Sequence, residues 1–121
     1  MTPRPPDPVA RVLAAAGALC AAVSVAAAAY ASHGLDGDAQ SRLMLAAVFA
    51  FGHGVALVAL GRQVPRRVAI IALALLLAGV LLFCGSLAGA ALAGWPTRAA
   101  PVGGLLMMLG WLLLAVDSLR R

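Results

Sequence analysis

Residues 68–95 read VAIIALALLLAGVLLFCGSLAGAALAGW, about 28 positions without a charged side chain. A helix needs about 20 apolar residues to cross the hydrocarbon core of a bilayer. A soluble domain of 121 residues has no interior that could hide this run together with the other apolar runs of the chain. The stretch therefore predicts a membrane span, with the neighbouring runs as its packing partners. At about 1.5 Å per residue it would be near 40 Å long, against a core of about 30 Å. It is expected to tilt, to emerge, or to loosen around Gly85, Ser86 and Gly89.

Composition points the same way. Hydrophobic residues make up 64% of the chain and charged ones 11%, with a mean hydropathy of +1.02; soluble domains sit near 45–50% and about 25%. The length accommodates four spans with short connections, hence one membrane domain over 12–121 and no soluble enzyme domain. The net charge is +5, but the nine arginines are scattered between apolar runs rather than gathered on one face. That distribution argues against a nucleic-acid partner.

Residues 1–11 form a Pro-rich leader, read as a disordered cytoplasmic tail. The expected spans are 12–31, 43–61, 68–94 and 99–116. Ala29-Tyr30-Ala31 also matches a small-x-small cleavage site; against a signal peptide, the apolar part exceeds the 7–15 residues of a signal core. Asp38 is placed to cap the second helix, and Pro65 to stop it before the third. Arginines 4, 11, 62, 66, 67, 120 and 121 would share one side and Arg42 and Arg98 the other, so both termini are expected in the cytoplasm.

Lipid tails are as apolar as leucine, so helices in a membrane associate through small residues and interhelical hydrogen bonds. Ala14, Ala18, Ala22 and Ala26 form a ladder on the first span. Gly85 and Gly89 form a GxxxG on the third, and Gly103, Gly104 and Gly110 thin the fourth. These are the expected packing positions. Counted from the outer ends, Ser24, Ser86, Cys84 and His53 lie roughly 10–15 Å deep and would form one buried polar layer. Cys20 and Cys84 differ in expected depth by roughly 12 Å, beyond the reach of a disulfide, and read as small buried hydrophobes.

His53 is the ionisable group of the second span, and Ala46, Ala50 and Ala56 on its face point it into the bundle. Two readings stand: a neutral imidazole that pins helices together, or a proton, ligand or metal role. His33 lies some 15 Å above it by the same count. The chain holds no HExxH, no paired CxxC, and no Ser-His-Asp set able to assemble in the membrane, so no catalytic residue, cofactor or metal is expected.

Ala31-Ser32-His33-Gly34-Leu35, His53, Phe83-Cys84-Gly85-Ser86-Leu87, Pro101-Val102-Gly103-Gly104 and Gly110-Trp111, in that order and spacing, resemble the YgdD-like family of small bacterial inner-membrane proteins, a domain of unknown function numbered 423. The resemblance runs from about Ala14 to Ala115. It implies a four-span inner-membrane protein and supplies no activity or catalytic residue. The chain departs from that pattern at Val48-Phe49-Ala50, where members tend to carry Arg-Tyr-Gln, and at Ala100, where a Thr often precedes the proline.

The expectation is thus an all-α, four-helix transmembrane bundle with both termini cytoplasmic: a non-enzymatic structural or accessory subunit whose partners are the bilayer and itself or a larger membrane complex. The alternative is a small oligomeric transporter or channel element lined at the His53 and Ser86 level. A third class is a redox or cofactor-binding subunit.

Overall fold

The computed structural model describes every residue except Met1, Arg4, Pro6, Val64, Pro65 and Arg121. Among the described residues it contains four helices: α1, Pro8–Gly34; α2, Gly37–Gly61; α3, Arg67–Ala93; and α4, Ala99–Leu119. All four are long and apolar enough to cross a membrane.

Local chemistry sets their ends. α1 starts at Pro8, ahead of the expected Val12, because the Asp7 carboxylate accepts the Val9 N–H at 2.8 Å. Proline suits this position, since the first N–H groups of a helix have no partner within it. Residues 8–11, assigned from sequence to the tail, form the opening turn. α2 opens one residue before the expected cap: Asp36 stands at the N-cap without a side-chain bond, and Gly37 carries a positive φ of 57°. Asp38 falls inside the first turn, where its charge faces the positive end of the helix dipole. Pro65, expected to stop α2, lies outside the described residues, as do Arg4 and Arg121 of the arginine count.

α3 runs unbroken for 27 residues, with no interruption at Gly85, Ser86 or Gly89. It ends at Gly94, whose φ of 71° suits a residue without a Cβ. There the Gly94 and Trp95 N–H groups donate to the Ala90 and Gly89 carbonyls, both at 3.2 Å.

The helices pair as two hairpins, α1 with α2 and α3 with α4, joined along α2 and α3. α1 also touches α3, whereas α4 makes no close backbone approach to α1 or α2. Ala10 abuts Gly61, and Arg66 pairs with Asp117 at 3.6 Å. The start of α1, the end of α2, the start of α3 and the end of α4 therefore lie at one end. At the opposite end the Gln40 amide donates to the Ala31 carbonyl at 3.0 Å and ties α1 to α2.

Glycine decides how near the helices of each hairpin come. A Cβ on Gly17 would stand 2.6 Å from the Gly54 carbonyl oxygen, and one on Gly79 would stand 2.7 Å from that of Gly103. Both are well inside van der Waals contact, so only a bare Cα fits. Leu13, Leu57, Leu73, Leu76, Val80 and Met107 fill the space between the hairpins. The alanine ladder of α1 lies only partly on the contact face: Ala14 is half-buried beside Gly61, Ala18, Ala22 and Ala26 face outward, and Ala10, Leu13, Gly17, Ser24 and Ala31 are buried. The inward face follows Gly17, where the α2 backbone closes in.

Two substitutions separate these glycines. In Gly103→Ala the new methyl would meet the Phe83 backbone nitrogen at 2.5 Å, and the expected cost is about 1–3 kcal/mol. In Gly104→Ala it meets nothing within 4 Å, and stability is expected to hold or to rise by up to about 1 kcal/mol from helix propensity. Thermal melting of the two variants in detergent measures the contrast.

Candidate functional site

The polar side chains inside the four helices do not form one layer. Cys84 donates its thiol to the Ala46 carbonyl of α2 at 3.2 Å, which puts Cys84 level with Ala46. Ser24 is level with Ala47, since Gly17 meets Gly54 and the helices run antiparallel. The Ser24 hydroxyl, 2% exposed, donates back to the Ala21 carbonyl at 2.6 Å. His53 lies seven residues further along α2 than Ala46, about 10 Å toward the arginine-rich end. Depth counted from the helix ends missed this, because it treated unequal helices as starting flush.

His53 has its own surroundings. Its ring stacks on Phe49, with centroids 5.8 Å apart and planes 12° apart, and Phe49 meets Phe83 of α3 at 4.9 Å. Trp111 of α4 approaches the imidazole edge-on at 5.8 Å. The Trp111 indole N–H donates to His53 Nε2 at 3.0 Å. An indole nitrogen only donates, so Nε2 must be the unprotonated acceptor. The proton then sits on Nδ1, which lies 2.8 Å from the Phe49 carbonyl oxygen and donates to it. Neutral imidazole in this tautomer has both nitrogens engaged.

This contact spans a gap that the backbone leaves open. α2 and α4 flank α3 without approaching each other, and the His53–Trp111 pair bridges them. Each residue lies eight positions before the end of its helix, and both helices run in the same direction, so the depths match. Without its partner, each polar atom would face hydrocarbon, where an unsatisfied donor or acceptor is costly. Trp111 was not singled out from sequence as this partner. Its depth was the available signal: about 12 Å inside the end of α4, a tryptophan is too deep to anchor in headgroups.

Ser86 is 8% exposed, and its hydroxyl has no hydrogen-bond partner among the described residues. It stands two turns beyond Gly79, on the strip of α3 that meets α4. Of the glycines expected to pack helices, Gly103 meets the α3 backbone, Gly110 meets Leu76 and the Ala72 carbonyl, and Gly89 lies under the Trp95 ring. Gly85 and Gly104 have no neighbour within 4 Å of a Cβ. Gly17, Gly54, Gly61 and Gly79 make close contacts that the sequence reading did not single out. His33 ends α1 in an exposed position.

Comparison with known proteins adds the following. The model of a family described as protein of unknown function (DUF423) matches residues 27–104. The UPF0382 membrane protein of Staphylococcus haemolyticus is 34% identical over 112 residues, covering 86% of this chain and 92% of its own. That of Staphylococcus epidermidis is 32% identical over the same shares. No solved structure matches the chain significantly.

The bridge makes a quantitative prediction. Trp111→Phe keeps a ring but removes the donor, and His53→Ala removes the acceptor. Each is expected to lower bundle stability by about 0.5–2 kcal/mol. Because they break the same bond, the double variant should fall short of the sum by at least about 0.5 kcal/mol in a double-mutant cycle read by melting in detergent.

Proposed function

The chain belongs to the DUF423 family, whose curated relatives are named as membrane proteins, and from that premise we propose that it is a non-enzymatic structural or accessory subunit of the bacterial inner membrane. It packs against a larger membrane complex or against copies of itself, with both termini in the cytoplasm. The observation that carries this reading is the use of its intramembrane polar groups. The His53 imidazole is held between the Phe49 carbonyl and the Trp111 indole, and the Cys84 thiol is given to the Ala46 carbonyl. These groups join one part of the bundle to another, and a group engaged on both sides is poorly placed to carry a proton or a solute.

Two further features support it. Arg11, Arg62, Arg66, Arg67 and Arg120 belong to one end and Arg42 and Arg98 to the other, the asymmetry that retains the richer end in the cytoplasm. The outward strip of α1 offers Ala18, Ala22 and Ala26, small enough for a helix of another chain to come close.

Extraction of the tagged protein from native membranes in mild detergent, followed by mass spectrometry, tests the proposal. Recovery in a fixed ratio with another membrane protein, or as an oligomer of defined copy number, is expected; a lone monomer under those conditions contradicts it. Reporter domains fused to the two ends should both be active in the cytoplasm, and opposite locations would contradict the orientation.

A further inference from the structure

A groove of about 440 Å³ runs between α1, α2 and α3. It exists because α2 packs closely on both neighbours while α1 only touches α3. Its floor is cut from small side chains, Ala46, Ala47 and Ala50 of α2 and Gly85 of α3. Leu19 and Val23 of α1 and Leu81 of α3 line it and are mostly exposed, so it opens sideways into the surrounding medium. The lining is almost wholly apolar, and its two side-chain donors are already used: the Ser24 hydroxyl donates to the Ala21 carbonyl and the Cys84 thiol to the Ala46 carbonyl. Water and ions would find few partners there, which favours a hydrocarbon occupant.

Size and charge select which hydrocarbon. The groove extends along α1 from Ala16 to Ala27, roughly 16 Å at the rise of a helix. An extended chain of methylenes can lie along a lateral slot of that length, and a helix of a second copy is the rival occupant that the experiment below separates from it. The groove ends at Ala27 and Leu43, roughly 10 Å short of the α1–α2 connection, so a tail entering from that membrane surface reaches it. Arg42, adjacent to Leu43, is exposed and takes part in no ion pair among the described residues. A guanidinium at the mouth of an apolar slot matches a phosphate headgroup whose tail lies in the slot.

We propose that this groove is a lipid site, holding one acyl chain of a phospholipid from the leaflet at the Arg42 end, with the headgroup phosphate against Arg42. The site requires only that the four helices lie in a bilayer. It does not depend on the subunit role proposed above.

Gly85 provides the test, since it lines the groove and a Cβ there meets nothing within 4 Å. Gly85→Phe should fill the slot without disturbing a helix contact, and Val23→Phe should fill it from the opposite wall. Gly104→Phe, at an equally open glycine outside the groove, is the control. The full chain is reconstituted into nanodiscs of phosphatidylethanolamine and phosphatidylglycerol, released into mild detergent, and weighed intact by native mass spectrometry.

The wild type and Gly104→Phe are expected to retain one phospholipid per chain, both groove variants to lose at least about nine-tenths of it, and Arg42→Gln to lose about half or more. The proposal is overturned if the wild type carries no lipid or if both groove variants carry as much as the wild type. It is also overturned if those variants change the number of chains per particle and leave the lipid count unaltered, which would put a second copy in the groove.

Discussion

Helices immersed in hydrocarbon gain little by hiding leucine from their surroundings, because the surroundings are themselves hydrocarbon. What remains is the closeness of approach, and here two glycine pairs set it. Gly17 and Gly54 bring α1 onto α2, and Gly79 and Gly103 bring α3 onto α4, each glycine's carbonyl lying too close to where its partner's Cβ would be for that Cβ to fit. The larger side chains follow from those contacts: Leu13, Leu57, Leu73 and Leu76 interlock because the backbones on either side are already fixed. Replacing either pair with larger residues would separate the helices and leave these leucines with gaps that lipid cannot fill snugly.

The second constraint is polar satisfaction. No water is at hand inside the membrane, so a hydroxyl, thiol or imidazole gains from a partner within the protein; among the described residues the buried Ser86 hydroxyl is the exception. Ser24 turns back on its own helix, Cys84 reaches to α2, and His53 reaches to α4 through Trp111. The last of these joins helices whose backbones stay apart, so it links the α3–α4 hairpin to the α1–α2 hairpin around α3. At the arginine-rich end, Asp117, 4% exposed, lies against Arg66 and ties the start of α3 to the end of α4.

Much of this was legible in the sequence. Four apolar runs and the family resemblance gave the four helices, since span length and hydropathy are properties of a single segment. Partner identity is not. The alanine ladder had the spacing of a contact face, yet Ala18, Ala22 and Ala26 face outward, because a lone Gly17 opposite Gly54 outweighs several alanines in setting which face turns inward. The polar layer was drawn by counting from helix ends, and a different start for each helix displaced His53 by about two turns from Cys84. Gly85 and Gly89 have the GxxxG spacing, but one is open and the other lies under Trp95; a motif fixes spacing along its own helix and says nothing of what stands opposite.

The central claim is that the chain is folded by and within a bilayer as four uninterrupted helices. Hydrogen exchange of the protein in lipid vesicles, resolved by peptide, tests it most directly, since amides that are both helical and shielded by hydrocarbon exchange slowest. Protection is expected through the middle of all four helices, including the stretch of α3 around Gly85, with rapid exchange confined to Leu35, Asp36, the Arg62–Gln63 segment, Thr97, Arg98 and the chain ends. Rapid exchange through the centre of any one of the four helices would contradict the account.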